Sequence, residues 1–138
     1  MSVEWKDLLG RPFRQHGLDA QGMDCTTVAE TILSRLGKTA PATSPYRLTD
    51  PQGGEMTDYF NKMGEAYTLV GVDPRTATEL GDVVLARNPE GMPTMLFVLV
   101  DVSSGTFLTA EHQGGVRATR RYKIESPVAV YRLKEGER

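Results

Sequence analysis

GRPFRQHGLDAQGMDCTTVAETILSRLG, residues Gly10 to Gly37, is the stretch whose reading decides the fold. Within it Asp24 stands where a helix N-cap belongs, and Val28, Ala29, Ile32, Leu33 and Leu36 recur at three- and four-residue steps until Gly37. An aspartate there can accept from the orphan N–H groups of a first turn, and the spacing gathers the apolar side chains on one face. A glycine just past the last periodic residue supplies the left-handed conformation that closes a helix. The stretch therefore predicts an amphipathic helix that begins at Cys25, approached through a turn-rich segment from Gly10 to Gly22. Cys25 is the one cysteine of the chain. At a first turn, unpaired backbone N–H groups and the helix dipole favour negative charge, which suits a thiolate nucleophile. Position alone is a weak signal, because cysteines outside disulfides are commonly buried as small apolar residues.

On the N-terminal side, Val3, Leu8 and Leu9 on a polar background predict a short opening helix, stopped by Gly10 and by the restriction that Pro12 places on Arg11. On the C-terminal side, the Pro, Thr, Ser and Gly density from Lys38 to Gly54 marks a long surface loop, and a second short helix is expected from Glu55 to Met63, ended by Gly64. The period then changes. Asp82 to Arg87, Met95 to Val102, Thr106 to His112, Val116 to Tyr122 and Val128 to Leu133 are rich in Val, Leu, Phe and Tyr, with turn residues between them. Ser103 to Gly105 and Gln113 to Gly115 are short enough for hairpins, so the central strands should form an antiparallel meander. The expectation is an α+β fold: N-terminal helices packed on an antiparallel sheet of about five strands, in a single domain over residues 1–138. No repeat or long linker divides it, and Lys134 to Arg138 should fray.

Composition narrows the function classes. A chain of 138 residues can bury roughly two thirds of its unfolded surface without a disulfide or a metal. Sixteen Lys plus Arg against eighteen Asp plus Glu leave no field that would draw nucleic acid. MSVEWKDLLG carries charges where a secretory signal needs an apolar stretch, and no run approaches the roughly 18 apolar residues of a membrane span. Neither a signal peptide nor a membrane span is expected. Zinc would need several soft ligands, whereas Cys25, His16 and His112 lie in unrelated segments, so no metal or cofactor is expected. Gly53-Gly54 and Gly114-Gly115 lack the strand-to-helix context of a phosphate loop. Arg117, Arg120, Arg121 and Lys123 form a local basic run that could meet an acidic surface, or simply keep a strand face solvated.

Gly22, Met23, Asp24 and Cys25 form a Gly-x-Asp-Cys core, and the segment around them resembles the nucleophile segment of the NlpC/p-sixty family of papain-like cell-wall peptidases. GDVVLAR at Gly81 to Arg87 is similar to that family's strand opener, FLTAEHQGGV at Phe107 to Val116 to its third-strand segment, and AVYRL at Ala129 to Leu133 to its terminal strand. The matches run nearly from end to end of the chain. The PFRQHG version of the first segment most resembles compact members encoded with bacteriophage tail genes. The resemblance implies a papain-like NlpC-type fold.

It also implies a site. Members of the family use the cysteine to attack an amide bond in peptidoglycan stem peptides, and a histidine early in the second core strand takes the thiol proton. Cys25 matches the nucleophile. Counted back from Phe107, the histidine position falls near Phe97, give or take a few positions, in TMLFVLVDV, and no histidine lies between His16 and His112. The third, orienting residue falls at Thr109, which can accept a hydrogen bond but cannot act as the base. A cysteine hydrolase needs a group that holds the thiolate and returns a proton to the leaving amine, and imidazole suits both tasks. His112 lies three residues beyond Thr109, so strand alternation points it to the other face. His16 sits in the loop that the resemblance places beside Cys25, and it would otherwise serve as a loop histidine bonded to backbone or water.

The function so implied is a bacteriophage tail or tail-tip component, structural or assembly-related, with a peptidoglycan-hydrolase-like fold and weak or lost catalysis. The alternative is an active cysteine endopeptidase or amidase that uses Cys25 with His16 or His112. The expected partners are other tail proteins, and peptidoglycan if the fold still meets the wall. The expected location is the virion tail, assembled in the host cytoplasm.

Overall fold

The helix expected after Asp24 is present as α1, Cys25–Arg35. Asp24 Oδ1 accepts from the Thr27 N–H at 2.9 Å, and Thr27 Oγ1 accepts from the Asp24 N–H at 2.9 Å, a reciprocal capping box. At the other end Gly37 takes a φ of +76°, its N–H donates to Ser34 O, and Lys38 N–H donates to Leu33 O at 2.9 Å. This is the Schellman closure that only a residue at ease in the left-handed region makes without strain. Val28, Ala29, Ile32 and Leu33 are buried, so the apolar stripe read from the sequence is the face α1 turns inward. The computed structural model describes residues 3–14, 18–19, 21–38, 67–87, 95–111 and 113–134. The helix expected at Glu55 to Met63 lies outside them, as do the loop from Thr39 to Gly54 and the tail beyond Lys134.

The chain ahead of α1 is more strand-like than expected. The opening helix is a single 3-10 turn, Lys6–Leu8, because Leu9 turns extended (ψ 137°) and Gly10 adopts a φ of +82°. Two short strands follow, β1 (Leu18–Asp19) and β2 (Gly22–Met23), paired antiparallel, and Phe13 bridges Met23 on the other side.

Six strands make the main sheet: β3 (Tyr67–Gly71), β4 (Val83–Ala86), β5 (Met95–Asp101), β6 (Thr106–Glu111), β7 (Gly115–Arg120) and β8 (Pro127–Leu133). Their spatial order is β3-β8-β4-β5-β6-β7, and every neighbouring pair is antiparallel. The expected meander is β4 to β7. Strand β8 returns to the far side of β4, and β3, which the sequence reading did not include, pairs outside β8 to make the sheet six-stranded instead of five. The N-terminal segment clasps the opposite edge, where Gly10 N–H donates to Val116 O and Val116 N–H to Arg11 O.

Both faces of the sheet are covered, which is why VVLA and MLFVLV read as unbroken apolar runs. One face carries Val83, Leu85, Leu96, Val98, Val100, Leu108, Ala110 and Val116 against Cys25, Val28, Ala29, Ile32 and Leu33 of α1, with Leu8 and Met23 closing the end. The other face carries Val84, Ala86, Phe97, Leu99, Phe107 and Val130 beneath Ala77 and Ile124. Each fully buried Leu, Val or Phe contributes roughly 1.5–3 kcal/mol, so the two clusters supply most of the drive to fold.

One buried charge ties the sheet's middle together. Asp82, 1 % exposed, precedes β4. Its Oδ2 accepts from the Thr78 and Glu79 N–H groups at 3.0 Å each and from Arg132 Nη2 at 2.8 Å, while Oδ1 accepts from Arg132 Nε at 2.9 Å. The Gly-Asp opener is thus a clamp between the entry to β4 and strand β8. Among the described residues no helix is long and apolar enough to cross a membrane.

Candidate functional site

Cys25 is the first residue of α1, held there by the Asp24 cap on one side and by β2 immediately upstream. The local fold depends on Gly22, whose added Cβ would collide with Arg14 Cβ and lie 3.2 Å from Pro12 O. Only glycine lets the Pro12–Arg14 backbone run so close, with Met23 N–H donating to Pro12 O and Arg14 N–H to Met23 O. The result fixes β2 against the Pro12–Arg14 segment, directly ahead of Cys25, which packs on the sheet.

The thiol's surroundings are apolar. Cys25 is 4 % exposed and belongs to the cluster of Leu8, Met23, Leu96, Val98, Leu108, Ala110 and Val116. Burial in this cluster costs an ionised sulfur its hydration, and a charge is costly to bury unless it is paired. At the helix end, the Asp24 carboxylate already occupies the Thr27 N–H. A carboxylate at this position spends part of the positive helix end that would otherwise favour a thiolate.

The structure gives the surroundings of two positions named from the family resemblance. Thr109 is fully buried on β6, where its Oγ1 donates to Leu96 O at 2.7 Å. The regular pairing of β6 with β7 keeps strand alternation intact, so Thr109 shares its face with Phe107, while Leu108 and Ala110 face α1. Thr109 is therefore not beside Cys25. Phe97 likewise belongs to the far face, and the β5 residues packed toward α1 are Leu96, Val98 and Val100. These β5 side chains are aliphatic.

His16 and His112 both lie outside the described residues. The alternation argument against His112 used Thr109 as its marker of the thiol's side. With Thr109 on the other face, that argument no longer counts against His112.

Arg117, Arg120, Arg121 and Lys123 do not act as one patch. Arg117 pairs with Glu111 on the β6–β7 edge, Arg120 reaches Ser104 O at 3.4 Å, and Lys123 stacks near the Tyr122 ring. Arg121 folds inward, with Nη2 donating to Ala77 O at 2.8 Å and its guanidinium carbon 5.8 Å from the Phe107 ring centroid. It lines a cleft on the sheet face away from Cys25, together with segments the sequence reading did not connect: Asp73–Arg75, Val102–Gly105 and Tyr122 with Ile124. Among the described residues no group of three or more His, Cys, Asp or Glu side chains is arranged to hold a metal ion.

No protein-family model matches the chain, and a search of curated proteins returns no significant relative.

Proposed function

We propose that the protein is a bacteriophage tail component, at or near the tail tip, that keeps a papain-like peptidase scaffold with hydrolysis weak or lost. The motif series from Gly10 to Leu133 supports the scaffold, as does the arrangement of α1 on an antiparallel sheet with Cys25 at its first turn. The observation that carries the loss of catalysis is the setting of the thiol: 4 % exposed, and clustered with Leu96, Val98, Leu108 and Ala110 on the strands beneath. A stem peptide must reach the sulfur before any proton moves, and a side chain this deeply buried offers little of its sulfur to an incoming amide carbonyl. Purified protein incubated with peptidoglycan sacculi should release no soluble fragments, and Cys25→Ala should leave phage infectivity and tail assembly intact. Mass spectrometry of purified particles should find the chain in the tail. Cys25-dependent fragment release would sink the inactive scaffold, and absence from the particle would turn the tail component into an assembly factor.

A second reading, an active cysteine endopeptidase or amidase, is favoured by one observation: the reversal of Thr109 removes the geometric objection to His112. In that case iodoacetamide labels Cys25 rapidly near neutral pH, and His112→Gln or His16→Gln slows the labelling. The inactive scaffold instead labels sluggishly, at the same rate in wild type and in both histidine variants.

A further inference from the structure

The far face of the sheet holds a cleft of about 510 Å³, within the range of roughly 300–1,000 Å³ typical of ligand clefts. Three separate segments build it: the 3-10 turn Pro74–Thr76 with Asp73 before it, the hairpin Val102–Gly105, and the 3-10 turn Arg121–Lys123 with Ile124 after it. Pro74, Val102 and Ile124 give it apolar walls, and Tyr122, 80 % exposed, stands on its rim.

Arg121 is the cleft's underused group. Its backbone N–H donates to Gly105 O at 2.9 Å, its Nη2 to Ala77 O, and its guanidinium lies against Gly105 and over Phe107, so its position is fixed. Among the described residues, Nε is buried without an acceptor. A guanidinium offers five N–H donors, and here Nη2 is engaged. Arg75, the other cation lining the cleft, is already bound through Nε and Nη2 to Asp73 Oδ2 at 3.1 and 2.8 Å.

We propose that this cleft docks a short acidic peptide segment of a partner protein, with one Asp or Glu carboxylate on Arg121 and a neighbouring apolar side chain against Pro74, Val102 and Ile124. Charge decides the class of ligand. With the Asp73–Arg75 pair closed on itself, Arg121 is the remaining cation lining the cleft, and its one charge matches the single charge of a carboxylate. A preset arginine beside an exposed tyrosine is also the composition that dominates protein interface energetics. The cleft is on the side away from the thiol, so this docking holds whether or not Cys25 reacts.

The test is to pan a random heptapeptide display library against the full chain and to titrate the synthesised winner against wild type, Arg121→Gln and Tyr122→Ala. Peptides enriched in Asp or Glu next to an apolar residue are expected. Arg121→Gln should weaken binding by about tenfold or more, since a hydrogen bond to a charged group is worth at least that factor. Tyr122→Ala, a change on an exposed side chain that leaves the fold alone, should weaken it severalfold, and rising salt should weaken it in wild type. No acidic enrichment overturns the proposal. Undiminished binding in Tyr122→Ala overturns it too, as does competition by inorganic phosphate at concentrations equal to the peptide's, which would make the cleft a small-anion site.

Discussion

Replacing Asp82 with alanine should be among the most damaging single changes on the polar side of this fold. The substitution leaves the Thr78 and Glu79 N–H groups without their acceptor and strips Arg132 of a bidentate partner. Hydrogen bonds to a charged group are worth about 1.5–3 kcal/mol each, and breaking a buried pair from one side costs about 3–5 kcal/mol. The Arg132 side chain is 27 % exposed, so water recovers part of its loss, and the expected cost sits near the lower end, about 3 kcal/mol. With a urea dependence of about 1.5 kcal/mol per molar, the denaturation midpoint should fall by roughly 2 M. Asp82→Asn, which keeps one acceptor oxygen and loses the charge, should fall by about half as much. The assay is urea unfolding followed by far-UV circular dichroism, with Arg132→Met and the double variant completing a cycle. A midpoint shift in Asp82→Ala below about 0.5 M, or single-variant costs that simply add to within about 0.5 kcal/mol, would refute the clamp.

Three further outcomes are expected. Thr109→Val should cost about 1 kcal/mol through the lost bond to Leu96 O while leaving the alkylation rate of Cys25 unchanged; a changed rate would put Thr109 back beside the thiol. Gly22→Ala forces a Cβ into Arg14 and should cost about 1–3 kcal/mol while speeding Cys25 alkylation, because the β2 segment that leads into the helix start must shift; unaltered labelling would show that the helix start is held independently of that contact. Asp7 is held below the usual carboxylate value chiefly by its hydrogen bonds from Arg35, so its contribution is complete above the unfolded pKa and is lost as pH falls through the lower folded one. The pair is exposed, so Asp7→Asn should cost only about 0.5 kcal/mol near neutral pH, with the gap to wild type closing in acid; a gap that widened would reverse the assignment.

Helix α1 was legible because every signal for it is local: an aspartate cap, a 3.6-residue apolar period and a closing glycine lie within one short stretch. Strands β4 to β8 were legible from β-branched and aromatic density with turns between. Strand β3 was missed because YTLVG buries Tyr67 while exposing Thr68 and Leu69, so it shows neither the alternation of a half-buried strand nor the continuous burial of a central one. The faces of β5 and β6 were illegible for the opposite reason. Their residues are buried on both sides, so nothing in MLFVLV or TFLTAE distinguishes the side that meets α1. The family resemblance named Thr109 and a position within a few residues of Phe97, and the register of the folded sheet puts Leu96, Val98, Leu108 and Ala110 on the α1 side. The Arg121 cleft joins segments from 73 to 124, and no local pattern announces such a meeting.

The two faces of the sheet lead to opposite expectations for evolution and for binding. On the α1 face, Cys25 packs among apolar side chains, and a histidine introduced at Leu96 or Val98 would have to enter that cluster. Either replacement would put a polar ring into a packed core and cost stability before it gained any chemistry. On the other face, Arg121 holds a fixed guanidinium at the cleft, where Nη2 satisfies the Ala77 carbonyl and the planar group covers Phe107. An aliphatic side chain could cover Phe107 but would leave that buried carbonyl without this bond. In the docking proposed above, a partner's carboxylate meets the same guanidinium from the cleft, on the face of the sheet that Cys25 does not touch.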